Sequence, residues 1–244
     1  MINDFTVILN CYRRPDYLKE QLDAIKNQSV KPKEVWLWVN DHDLNRGWDF
    51  SNYGFDVIVK SSRNFIFHGR FSLACLVRTK YVALLDDDTI PGNNWFKSCI
   101  EIQNSTPCVL GGAGIVFTGD LYHMHVRKGW PSQNEHLEEV DLVGHAWFFP
   151  TYIMRAFWLE TYSLDNCEDM QVSFIAQKYF NIKTYCPPHP KDDKSLWSSL
   201  TPWEKGNDGR AASTDDEWNK FYPVRDHWMK LAKSNGWKWL RDTL

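Results

Sequence analysis

Residues 5 to 40 constrain the fold most, because they read as strand, helix and strand in quick succession. FTVILNC, Phe5 to Cys11, has the composition of a buried strand. A helix starting near Pro15 would place Leu18, Leu22 and Ile25 on one face, and EVWLWVN, Glu34 to Asn40, reads as the next strand. Two strands joined by a helix of this length make a right-handed crossover with parallel pairing, so an α/β architecture is predicted. Phe55 to Val59 is a third apolar stretch, and Phe71 to Thr79 a short helix. The apolar run Tyr81 to Leu85 then ends in three consecutive acids, Asp86, Asp87 and Asp88, and a turn at Pro91 and Gly92.

A buried strand that delivers carboxylates to a sheet edge is well placed for a site, because ligands of open α/β sheets bind beyond the carboxyl ends of the strands. Continued strand alternation turns Asp86 and Asp88 one way and Asp87 the other. Two such carboxylates can hold a hard divalent ion and leave positions for phosphate oxygens. A solvated acidic turn is the competing reading.

At 244 residues the chain is long enough for a substantial core, and a 43% hydrophobic content fits a globular protein. A net charge of -3 and the lack of a dense basic stripe give no support to a nucleic-acid partner. The six cysteines form no CxxC pair, so reduced core thiols are expected. No secretory signal or membrane-spanning run is visible, which favours a cytoplasmic setting without integral membrane association.

Beyond the acids, Trp95 to Ile102 is predicted as a helix, and Cys108 to Phe117, Leu121 to Lys128 and Glu139 to Phe149 as strands. Asn166 to Phe180 is predicted as a helix. One continuous body over residues 1–190 is expected, then a polar, turn-rich flap or connector over 191–216. A helical extension over 217–244 follows, interrupted near Pro223 and Gly236 and docked by Trp218, Tyr222, Trp228 and Leu231.

Several pieces together carry a resemblance. WVND at 38 to 41, HGRF at 68 to 71, LLDDD at 84 to 88, VGHAWFF at 143 to 149 and NCEDM at 166 to 170 resemble, in order, motifs of nucleotide-sugar glycosyltransferases of the GT-A fold. Their order is most similar to the exostosin-like transferase domain, glycosyltransferase family 64. The resemblance implies a Rossmann-like GT-A fold with a mixed, mostly parallel central sheet. It also implies transfer from a UDP-sugar to a glycan hydroxyl, dependent on manganese or magnesium and with retention of configuration.

By position, Asp88 resembles the metal-contacting last acid of the DxD element, with Asp86 its first acid and Asp87 between them on the donor side. Arg70 resembles an arginine that reaches the diphosphate, a task suited to paired guanidinium hydrogen bonds. It could instead pair with Asp86. Asn64 sits at a polar donor-contacting position. Tyr12, Arg14 and Asp41 are candidates for meeting the base, with Arg13 as an alternative to Arg14. His189 is a candidate metal ligand, and His145 stands where a small residue is usual, with an expected effect on the acceptor pocket. Glu168 and Asp169 match the family's ED pair. Asp169 would orient the acceptor, or serve as general base if the enzyme inverts, whereas the simpler reading is charge at a helix N-terminus. Arg210 resembles a late arginine near the phosphate or acceptor. Trp197, Trp203 and Trp218 are candidates for a cover or sugar platform. A non-catalytic carbohydrate-binding protein and a nucleotidyltransferase are the rival classes.

Overall fold

The computed structural model describes residues 4–202, 208–210 and 218–243. The predicted crossover forms β1 (Phe5–Cys11), α1 (Leu18–Lys26) and β2 (Glu34–Val39), with the Leu18, Leu22 and Ile25 face of α1 buried. Then come β3 (Val57–Lys60), α2 (Gly69–Ala74), β4 (Tyr81–Leu85) and α3 (Trp95–Ser105). The second half adds β5 (Val109–Phe117), β6 (His125–Gly129), β7 (Glu138–Val140), β8 (Leu142–Pro150), α4 (Glu168–Phe180), β9 (Thr184–Cys186) and α5 (Trp218–Ser234).

The sheet runs β3-β2-β1-β4-β8-β5-β9-β7, with β6 paired to β5. The pairings make β1 to β5 and β9 point one way, and β6, β7 and β8 the other. Strand alternation divides the core. Val7, Leu9, Leu37, Ala83 and Leu85 pack with α1 and α3 on one face. Ile8, Trp36, Val82 and Leu84 share the other face with α2, α4 and the 3-10 stretch Thr151–Glu160. Each large apolar side chain removed from water stabilises by roughly 1.5–3 kcal/mol, so both faces hold the strand ends rigidly.

The strand predicted over Glu139 to Phe149 is divided at Asp141, which lies between β7 and β8. Its carboxylate accepts from the backbone N–H of Phe117 at 2.7 Å and of Leu240 at 2.7 Å, tying the sheet to the chain's C-terminal segment. The terminal helix passes through Pro223 and ends before Gly236. Trp228 is buried in a third cluster with Met170, Phe174, Trp237 and Trp239, while Tyr222 packs at its edge. The side chain of Trp218 lies outside the described residues. Among the described residues no helix is long and apolar enough to cross a membrane.

Residues 191–202 lie along the loop that follows the acids. Gly92 donates to Trp197 O at 2.9 Å, Leu200 to Ile90 O at 2.7 Å, and the Thr201 hydroxyl to Asp88 O at 2.6 Å. Gly92 permits this approach: a Cβ there would fall 2.4 Å from Lys194 O and 2.5 Å from Ser195 O. Backbone oxygens cannot swing aside as a side chain can. Gly92→Ala is therefore expected to lower unfolding free energy by about 1–3 kcal/mol in urea titrations; an unchanged midpoint would contradict this reading of the contact.

Candidate active site

Strand geometry ends at Leu85, and the three acids enter a turn closed by Thr89 N donating to Asp86 O at 3.1 Å. Asp87 turns to Arg14, whose Nη1 is 2.7 Å from Asp87 Oδ1 and 3.3 Å from Asp88 Oδ2. Asp86 pairs with Arg70, which also lies 3.4 Å from Glu168 Oε1. Arg14 and Arg70 are only 3% and 5% exposed. Gln21 holds the turn by donating to Asp86 O at 2.7 Å and Thr89 O at 3.0 Å. Burial, with Asp86 and Asp87 close by, pushes the Asp88 carboxyl up to about 8. Its Oδ1 is buried and accepts no hydrogen bond from the described residues.

His145 completes this cluster through an irregularity in β8. Gly144 pairs with Ala113 and Trp147 with Gly111, so His145 and Ala146 stand opposite the single residue Gly112. This is a bulge, and it re-aims a side chain. His145 adopts a left-handed φ of 73°, a conformation costly for a residue with a Cβ. Its Nδ1 lies 3.8 Å from both Asp86 Oδ2 and Asp88 Oδ1, and its ring stacks on Trp130 at 3.9 Å. Burial lowers its pKa to about 4, leaving a neutral imidazole. Ligand atoms of Asp86, Asp88 and His145 all fall within 4.8 Å of one another. Two carboxylates, a neutral imidazole and an unspent carboxylate oxygen suit a divalent ion such as manganese.

A second acidic centre lies at the start of α4, after Cys167, which has a left-handed φ of 80°. Burial, with Asp169 adjacent, raises the Glu168 carboxyl to about 7. Asp169 Oδ2 receives Arg225 Nη2 at 2.5 Å, and its Oδ1 accepts from Met170 N at 2.7 Å. Arg225, on α5, was not foreseen, because some 56 residues separate it from its partner.

The expected base-contacting residues are partly assembled. Tyr12 accepts from Asn64 Nδ2 at 2.9 Å, and Asn64 Oδ1 accepts from Asn40 Nδ2 at 2.6 Å. Asp41 is gripped by Arg46, which holds its carboxyl below the usual range. Arg13 lies over the Tyr12 ring at 4.9 Å, whereas Arg14 is committed to the acids. Arg210 reaches them through Asp208, which it shares with Arg14, and also pairs with Asp16 at 2.8 Å.

His189 is not brought into the Asp86, Asp88 and His145 group. Its Nδ1 faces Pro187 O at 2.8 Å, and its Nε2 accepts from Ser198 N at 3.1 Å, so both ring nitrogens are taken. Trp197 is buried, with its indole donating to Pro190 O at 2.8 Å, rather than standing open to a sugar. Trp203 lies outside the described residues.

A mixed α/β sheet carrying an acid cluster beyond β4 defines a GT-A-type fold. Residues 6–163 match the profile of glycosyl transferase family 2, and the chain belongs to that family. The match stops short of Glu168 and Asp169. It does not carry the narrower exostosin-like likeness. No curated protein matches the chain. Among solved structures, S. aureus TarS is similar with a TM-score of 0.52 at 17% identity, over 76% of this chain and 36% of that one. TarS 1-349 in complex with UDP-GlcNAc gives 0.52 at 16% identity, over 79% of this chain and 60% of that one. This chain thus spans between about a third and three fifths of the TarS chains it matches.

Burial also depresses His189 to about 4. A histidine held neutral when folded takes up its proton more readily when unfolded, so stability falls as pH drops from 6.5 towards 4. The His189 contribution reaches about 3 kcal/mol at pH 4. Denaturant unfolding across that range should show a steeper loss for the wild type than for His189→Gln; parallel losses would contradict it.

Proposed function

We propose that this protein transfers a sugar from a UDP-sugar to a glycan hydroxyl with the aid of a divalent ion. The observation that carries the proposal is the convergence of Asp86, Asp88 and His145 at the sheet edge of a family 2 chain, with Asp88 Oδ1 unspent. The solved complexes of S. aureus TarS with UDP-GlcNAc and UDP support a UDP-linked donor. Tyr12 and Asn64 at the ends of the parallel strands supply polar groups for the base and ribose, with Asp41 beside them.

Asp86, Asp88 and His145 would hold manganese or magnesium, which supplies Lewis-acid neutralisation of the donor diphosphate. Arg70, now shared by Asp86 and Glu168, supplies a guanidinium for a phosphate oxygen. Asp169 acts as general base: it takes the acceptor hydroxyl proton as the oxygen attacks the anomeric carbon, while the bond from that carbon to the diphosphate breaks and UDP leaves. Direct displacement inverts the anomeric centre. Retention was an implication of the exostosin-like likeness, and it loses that support once the chain falls in family 2. We also propose that residues 1–190 form the catalytic body, with 218–243 packed on it; of the flap expected over 191–216, residues 203–207 and 211–216 lie outside the described residues.

A donor screen reading UDP release with manganese tests this. Asp88→Ala is expected to abolish release, and Asp169→Asn to lower kcat by about 10²–10⁴-fold with donor binding kept. Pyrophosphate release instead of UDP, or equal turnover by the Asp88 variant, would overturn the proposal.

A further inference from the structure

We propose that Arg225 is the positioning residue of the transfer reaction, delivered by the C-terminal helix to fix the Asp169 carboxylate. The inference rests on Asp169 being the base. Arg225 is 3% exposed and enters from α5, well outside the residues that match the family profile. Its Nη2 meets Asp169 Oδ2 at 2.5 Å and its Nη1 meets Asn166 Oδ1 at 2.8 Å. The guanidinium therefore spans Cys167, the left-handed residue at the entry to α4, and ties both sides of that turn together.

The surroundings hold the guanidinium itself in place. Its carbon sits 4.0 Å from the Tyr122 ring centre and 5.0 Å from that of Phe221. Asp226, next in the chain, accepts from Tyr122 N at 2.6 Å and anchors the helix to the same hairpin. Trp228 and Met229 lock the next turn into the third core cluster. With Met170 N on Oδ1 and Arg225 on Oδ2, the Asp169 carboxylate is held by one contact on each oxygen, and each oxygen keeps a further lone pair for an acceptor hydroxyl.

A stability role alone explains this pair poorly. A buried ion pair gains little over well-packed apolar groups of similar volume, and Arg225 already touches two rings that such a group could pack against. Orientation is what an apolar residue cannot supply. A base displaced by about 1 Å can lose about 100-fold in rate while the donor site is untouched.

The test compares wild type, Arg225→Met, Arg225→Lys and Asp169→Asn in the full chain, measuring kcat, donor KM, manganese-dependent UDP binding and thermal unfolding. Arg225→Met should lower kcat by about 30–100-fold with donor KM and UDP binding within about twofold of wild type, and Arg225→Lys should recover part of the loss. If Arg225→Met does not fold, Arg225→Lys carries the test, with reduced kcat at unchanged KM as the supporting result. Wild-type kcat in the folded variants, or kcat and UDP binding falling together, overturns the role of Arg225. Full turnover by Asp169→Asn would instead bring down the base assignment on which the inference rests, so the two failures are told apart.

Discussion

Carboxylates crowd one edge of the sheet, and buried arginines are what make that crowding tolerable. Asp86, Asp87, Asp88, Glu168 and Asp169 converge there, while Arg14, Arg70 and Arg225 neutralise them from three separate elements. Removing an ion from water costs several kcal/mol unless a partner offsets it. The offset is incomplete: Asp88 is pushed up to about 8 and Glu168 to about 7, chiefly by burial. A folded chain that keeps acids in this condition has a place for added positive charge.

The fold joins its ends through these pairs. Arg14 follows β1, Arg70 sits in α2, and Arg225 comes from the last helix, so N-terminal, central and C-terminal segments meet at one edge. The segment 191–202 is drawn in as well, through Thr201 on Asp88 O and Gly92 on Trp197 O. Site and tertiary structure are thus held by the same contacts, and the chain past the family match contributes directly to the edge.

The first half of the fold was legible because apolar runs and turn signals there are local. Phe5 to Cys11, Glu34 to Val39 and Tyr81 to Leu85 are found as strands, whereas Asp86 and Asp88 come together through the turn after β4 and not through continued alternation. Long-range chemistry was not legible. His145 reaches the acids through a bulge in which it takes the left-handed conformation that glycine usually supplies, so no residue type announced it. Histidine 189, chosen from its place in the chain, is spent on Pro187 and Ser198. Arg14, a candidate for the base by its place after β1, serves the acids instead, since spacing alone does not say which of two adjacent arginines turns inward. The 3-10 stretch Thr151–Glu160 escaped because its apolar residues fit neither a clear helical nor a strand period.

Calorimetric titration of UDP with and without manganese addresses the central claim, that the acid cluster completes its charge balance with a divalent ion and a diphosphate. UDP should bind with manganese, and binding should fall at least about tenfold without it, because the diphosphate then lacks the cation that neutralises it. UDP binding of equal strength in the presence and absence of manganese would contradict it.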